Sequence, residues 1–105
     1  MTKPKQSERV IQRSVRGWLI SEGFEVIKLT TMRQYGTVGW PDLLVLDMAK
    51  FPPLFMEIKT ETGKLTPLQK EKHRILRERG YTVCIIRSLP QAREVVESWI
   101  RSGRS

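Results

Sequence analysis

Chemistry can be argued first from an aspartate at position 42 and a glutamate at position 57. Asp42 closes the run Gly39-Trp40-Pro41-Asp42, and after 14 intervening residues comes Glu57-Ile58-Lys59. Pro41 fixes its own φ and drives Trp40 toward an extended conformation, so Asp42 enters the next segment from a stiff approach. Strand alternation then points Asp42 the same way as Leu44 and Leu46. Taken alone, a turn aspartate is the simpler reading of this residue. In Phe55-Met56-Glu57-Ile58-Lys59-Thr60, Glu57 and Lys59 share one face of a strand while Met56 and Ile58 enter the other. As an isolated surface pair they would be worth less than ~1 kcal/mol. The two strands, however, are joined by about six residues and should pair as an antiparallel hairpin, which brings the two carboxylates together. Carboxylates that close repel unless a cation lies between them. Oxygen-only ligands suit Mg²⁺ or Mn²⁺ rather than zinc, and Lys59 adds a positive charge and a proton donor.

Three further residues bear on the same chemistry. At 100° per residue, Glu8 falls on the apolar side of its helix, where a carboxylate must be paired, protonated or bound to a cation. It also suits a wet first turn, where it favours the helix dipole. Gln69 completes a capping box in Thr66-Pro67-Leu68-Gln69, which suffices to explain it. His73, a lone histidine on a basic helix, reads as solvated or phosphate-facing, without a catalytic part. The single cysteine, Cys84, reads as a small buried hydrophobe.

The elements that must position these groups follow from periodicity and punctuation. Ser7 to Glu22 is helical, with Ile11, Val15, Trp18 and Leu19 on one face and Gly23 as its stop. Strands are expected over Phe24–Thr31, Pro41–Asp47, Leu54–Thr60 and Tyr81–Arg87, and the segment from Met32 to Trp40 reads as an exposed loop. Leu65–Arg79 is helical, capped by Thr66 with Pro67 in its first turn, and Pro90–Arg101 forms a last helix. The order is α-β-β-β-α-β-α, expected as one domain over residues 1–105 with residues 1–6 and 102–105 loose.

Composition bounds the function. The 105 residues carry 19 Lys+Arg against 11 Asp+Glu, a formal net charge of +8. Such an excess fits a polyanion, since neutralising phosphates is the largest sequence-independent source of nucleic-acid affinity. No recognition-helix, zinc-finger or aromatic RNA-binding signature accompanies it, so base reading is not indicated. One cysteine and one histidine exclude a disulfide framework, a multi-cysteine metal cluster and zinc sites built on several histidines. No apolar run approaches the ~20 residues of a membrane span. Nor is there a signal-peptide h-region, and a reduced, cytoplasmic protein is expected.

These residues together resemble the PD-(D/E)XK signature of metal-dependent nucleases, with Pro41-Asp42 and Glu57-Ile58-Lys59 set in that superfamily's α-β-β-β-α-β order. The more particular resemblance is to virus-type replication-repair nuclease (VRR-NUC) domains, and it runs from about Ser7 to Arg87. Glu8 stands near the start of the first helix, Gly39-Trp40-Pro41-Asp42 matches the G-x-P-D turn, and Glu57-Ile58-Lys59 matches the E-x-K strand. Gln69 matches the glutamine of the next helix, and Gly80 the glycine before the last core strand.

The resemblance implies a restriction-endonuclease-like core, a mixed four-stranded sheet flanked by helices, with an extra C-terminal helix. It implies Mg²⁺- or Mn²⁺-dependent hydrolysis of DNA phosphodiesters, leaving 5′-phosphate and 3′-hydroxyl ends. Asp42, Glu57 and the Ile58 carbonyl would hold the ion, with Glu8 joining directly or through water. Lys59 would position the attacking water, and Gln69 would help hold water or phosphate. Stand-alone domains of this kind resemble nucleases of branched DNA such as four-way junctions, which implies a homodimer. Tyr35, Trp40 and the loop before Asp42 are candidates for DNA or dimer contact, and Trp99 and Ile100 for an interface or for capping the core. No membrane and no small-molecule cofactor is expected. Two other classes stay open: a catalytically silent nucleic-acid-binding module on the same fold, and a toxin-like regulatory protein whose basic surface meets an acidic partner.

Overall fold

A computed structural model describes residues 6–29, 38–47 and 52–103. The first helix, α1 (Glu8–Ser21), starts where the Ser7 hydroxyl accepts a hydrogen bond from the Val10 amide at 3.2 Å, an N-cap that satisfies a donor the helix cannot. It buries Ile11, Val15 and Leu19, one stripe at helical spacing. Four strands follow in the expected order: β1 (Glu25–Lys28), β2 (Leu43–Leu46), β3 (Leu54–Ile58) and β4 (Thr82–Ile86). Between β3 and β4 lies α2 (Pro67–Glu78), and α3 (Leu89–Gly103) closes the chain. That last helix continues through Ser102, which the sequence placed in a loose tail.

The sheet is mixed, with strand order β1-β2-β3-β4. The first three strands pair antiparallel, and β4 joins β3 in parallel, as its crossover through α2 requires. β3 is buried along its whole length, because both sheet faces are covered at its position. On one face, Leu43, Val45, Leu54, Met56 and Ile58 pack with α1 residues and with Ala92, Val96 and Trp99 of α3. Trp99 is a core residue whose indole N–H donates to the Pro52 carbonyl at 3.0 Å, so the core-capping reading holds for it. On the other face, Phe55, Leu76, Val83 and Leu29 form a smaller cluster against α2. Trp40 joins that cluster half-buried, its ring 6.3 Å from that of Phe55, which commits much of its surface to packing. Tyr35, and the loop from Met32 through residue 37, lie outside the described residues.

The topology gathers specific chain ends at one edge of the molecule. The start of β2 and the ends of β1 and β3 are neighbours: Lys28 pairs with Leu43, and Leu43 with Met56. Ile58 and Ile86 are partners at the ends of β3 and β4. Extending the β2–β3 register by one step sets Asp42 opposite Glu57.

Candidate active site

Asp42 and Glu57 are 6% and 1% exposed, and Lys59 only 7%, so all three charge-bearing side chains sit inside the fold. Alternation explains their direction. Asp42 follows Leu44 and Glu57 follows Phe55 toward the α2 face, while Leu43 and Met56 fill the core beneath α1 and α3. A surface pair at Glu57 and Lys59, the bland alternative, is not what the fold contains.

Backbone and side chains clamp each carboxylate. The Ile58 amide donates to Asp42 Oδ2 at 2.6 Å, tying the two strands' functional ends together. Glu57 Oε1 lies 2.9 Å from Nε2 of His73, and Glu57 Oε2 receives a longer bond, 3.4 Å, from the Gln69 side-chain N–H. The Asp42 carboxyl also lies close enough to act directly on that of Glu57. Burial first, then this contact and the Asp42 charge, push the Glu57 carboxyl up to about 9, against a partial offset from Lys59. Metal-free Glu57 therefore keeps its proton at neutral pH. Burial and the nearby Arg77 and Lys59 charges push the His73 imidazole down, so it is neutral there. Once Glu57 is ionised, Nε2–H of His73 must be the donor. His73 Nδ1 is buried and has no hydrogen-bond partner among the described residues.

Gln69 does two things at once. Its Oε1 accepts from the Thr66 amide at 2.9 Å while the Thr66 hydroxyl accepts from the Gln69 amide at 3.1 Å, the reciprocal capping box. Its amide nitrogen is left free to reach Glu57. The capping reading of this residue holds, and the bond to Glu57 adds a contact to it.

His73 is a correction. The sequence placed it on a solvated helix face, but it is 1% exposed and bonded to Glu57. The signal was available: Gln69, His73 and Leu76 recur at helical spacing and define the inward stripe of α2. Of the two readings of Glu8, the wet first turn holds. The residue is exposed in the first turn of α1, where no earlier turn exists to cover it, rather than part of the buried stripe. It is still close enough for its charge to act on Glu57. Among the described residues no three acidic, histidine or cysteine side chains are grouped to hold a metal, and the cluster is built on the Asp42–Glu57 pair.

Two residues, Arg87 outside the signature and Gly39 within its G-x-P-D turn, hold the site's frame. Arg87 donates from one guanidinium nitrogen to the Thr60 and Gly63 carbonyls, each at 2.7 Å, bracing the turn that follows Lys59. Gly39 has a φ of 86°, and an added Cβ would lie 2.7 Å from Leu68 Cγ and 3.0 Å from its carbonyl oxygen. The glycine thus lets the entry to Asp42 lie against the first turn of α2, beside Gln69. Gly39→Ala is expected to lower stability by about 1–3 kcal/mol, since it adds a left-handed penalty to a backbone clash. Thermal denaturation checks this, and an unchanged melting temperature would contradict the close approach.

Solved structures share this fold. One, described as a VRR_NUC domain protein, superposes with a TM-score of 0.73 over 93% of this chain and 91% of that one, at 22% identity. Another, described as a VRR_NUC domain, gives a TM-score of 0.74 over 88% of this chain and 97% of that one, at 29% identity. No protein-family model matches the chain, and no curated protein matches it significantly.

Proposed function

The chain folds as a VRR-NUC domain, a nuclease-type α/β domain of the PD-(D/E)XK class, and we propose that it is a divalent-metal-dependent DNA endonuclease. The observation that carries this reading is the buried contact between Asp42 and Glu57 with Lys59 beside it. A structural pair of carboxyls would be costly to bury for nothing, because two like charges at this range cannot both ionise unaided.

The donor set fits a hard divalent ion. It offers carboxylate and main-chain oxygens, no thiolate, and an imidazole whose Nε2 is turned to Glu57. Asp42 and Glu57 would hold the ion, with the Ile58 carbonyl and Glu8, directly or through water, as further oxygen donors. Mg²⁺ or Mn²⁺, when bound, neutralises the carboxylates and makes a bound water more acidic.

The remaining work falls to the chain's own groups. The Ile58 amide fixes the Asp42 carboxylate, and His73 and Gln69 fix the two oxygens of Glu57, so that neither must reorganise as charge develops. Lys59, held by the braced turn and the sheet, places an ammonium on the same side as the carboxylates. From there it orients the attacking water and donates to the phosphoryl oxygens as they gain charge. The net charge of +8 supplies general affinity for the DNA backbone.

A domain this small has few loops for reading base edges, which favours recognition of backbone shape, and branched DNA such as a four-way junction is the substrate we propose. Symmetric cutting of two strands needs two sites, hence a twofold homodimer.

The test is incubation with labelled linear duplex, flap and four-way DNA in Mg²⁺, in Mn²⁺ and in EDTA, alongside size measurement. Expected are cleavage with either metal, none in EDTA, preference for a branched substrate, and a dimer. Binding without cutting under every condition would leave a silent module instead. A strict monomer that cuts linear and four-way DNA equally would remove the junction reading.

A further inference from the structure

Beside the carboxylate cluster is a second feature that the cleavage chemistry does not use. Arg9, Arg13 and Arg16 recur along the exposed side of α1, and with Gln12 and Lys28 they line an open pocket of about 220 Å³. Four of the five lining residues are cationic and none is acidic. Among the described residues the three arginines make no ion pair, whereas Arg74 on α2 bridges Glu71 and Glu78. Among the described residues an acidic partner is thus supplied to Arg74 and to none of these three arginines. The Gln12 amide nitrogen, moreover, is buried without a hydrogen-bond partner among the described residues. A hollow ringed by positive charge, with an unmet N–H donor on one of the residues that line it, is complementary to an anion.

Its position says which anion. Gln12 lies one helical turn beyond Glu8, whose charge reaches Glu57, and so borders the cluster along α1. Lys28 pairs with Leu43, the residue after Asp42, and the next amide, that of Leu29, donates to the Asp42 carbonyl at 2.8 Å. Two elements, one helix and one edge strand, therefore place the pocket against the same end of the sheet as Asp42 and Glu57.

We propose that this pocket holds a backbone phosphate of the DNA other than the one being cut, so that α1 sets the path of the strand past the site. The inference rests on the nuclease reading for the identity of its ligand. The guanidinium groups offer paired N–H donors for phosphate oxygens, Lys28 offers a point charge, and Gln12 supplies the inner donor. Contacts of this kind fix register and carry no base preference.

The test is DNA binding by fluorescence anisotropy in EDTA across a salt series, for the wild type and for a variant combining Arg9→Ala, Arg13→Ala and Arg16→Ala. The triple variant is expected to bind at least about tenfold more weakly and to flatten the slope of log affinity against log salt by about 1, near 0.9 for the one lost phosphate contact. Its melting temperature should not fall, since all three side chains are exposed. A control removing the same charge from α2 and its C-cap, through Lys70→Ala, Lys72→Ala and Arg79→Ala, should change the slope less. Gln12→Leu, which removes no charge, should also weaken binding several-fold.

Wild-type affinity in the triple variant, or an equal loss in the control, overturns the pocket. Inorganic phosphate at matched ionic strength should compete only at millimolar levels or above. Micromolar competition would assign the pocket to a small free phosphate and overturn the DNA reading. The two proposals fail separately: cleavage by the wild type with unaltered binding by the triple variant removes the pocket alone. A lost slope in a protein that never cuts removes the nuclease and keeps the pocket.

Discussion

Glu57→Gln is expected to abolish cleavage and, in metal-free solution, to make the protein more stable. In the native protein Glu57 holds its proton up to about pH 9, whereas the unfolded chain loses it near the ordinary value of 4.5. Between those limits the folded state binds more protons than the unfolded one, so metal-free stability falls as pH rises. Glutamine has no proton to lose and keeps a polar group for Asp42, His73 and Gln69. The variant and the wild type should therefore be close near pH 5 and diverge toward pH 9. At about 1.4 kcal/mol per pH unit above 4.5, the gap near pH 7 approaches about 3 kcal/mol. For a domain of 105 residues that is a melting-temperature gain on the order of 10 °C. Thermal denaturation in EDTA at three pH values checks it. A variant less stable than the wild type throughout would mean that Glu57 is there to hold the fold together.

Lys59→Met is expected to cost cleavage by about 10²- to 10³-fold or more at saturating DNA and metal, the size of effect seen when one preorganised donor to a developing anion is removed. Methionine keeps the volume and apolar stem at a position only 7% exposed, so the fold should survive. The lysine charge also favours ionised Glu57, and without it metal binding should be little altered or modestly weaker at neutral pH. Single-turnover rates separate this from a binding defect. An unchanged rate would remove Lys59 from the site.

The sequence carried the central pair further than it carried the residues around it. Short connection and strand alternation were enough to bring Asp42 and Glu57 to one face, because a hairpin's register is constrained by its turn and its buried side. The G-x-P-D glycine was visible as a residue type, but its cause was not. That cause is a nonlocal approach of the Asp42 entry to Leu68, which no local pattern encodes.

Glu8 kept two readings because a helical wheel assumes a continuous helix, whereas the first turn has nothing before it to bury against. His73 was misplaced because its neighbours Lys70, Lys72 and Arg74 suggested a wet face, although spacing from Gln69 pointed inward. Arg87 gave no signal. Its partners, Thr60 and Gly63, come within reach only when β4 aligns in parallel with β3. The basic pocket was half visible: Arg9, Arg13 and Arg16 share a helix face in the sequence, but Lys28 joins them only through the fold.

The most direct measurement is a calorimetric titration of the metal-free protein with Mn²⁺, run in parallel on the wild type, Lys59→Met and Glu57→Gln. Saturable binding by the first two and its loss in Glu57→Gln is the predicted result. Equal binding by all three, or none by the wild type, would contradict a divalent ion shared between Asp42 and Glu57.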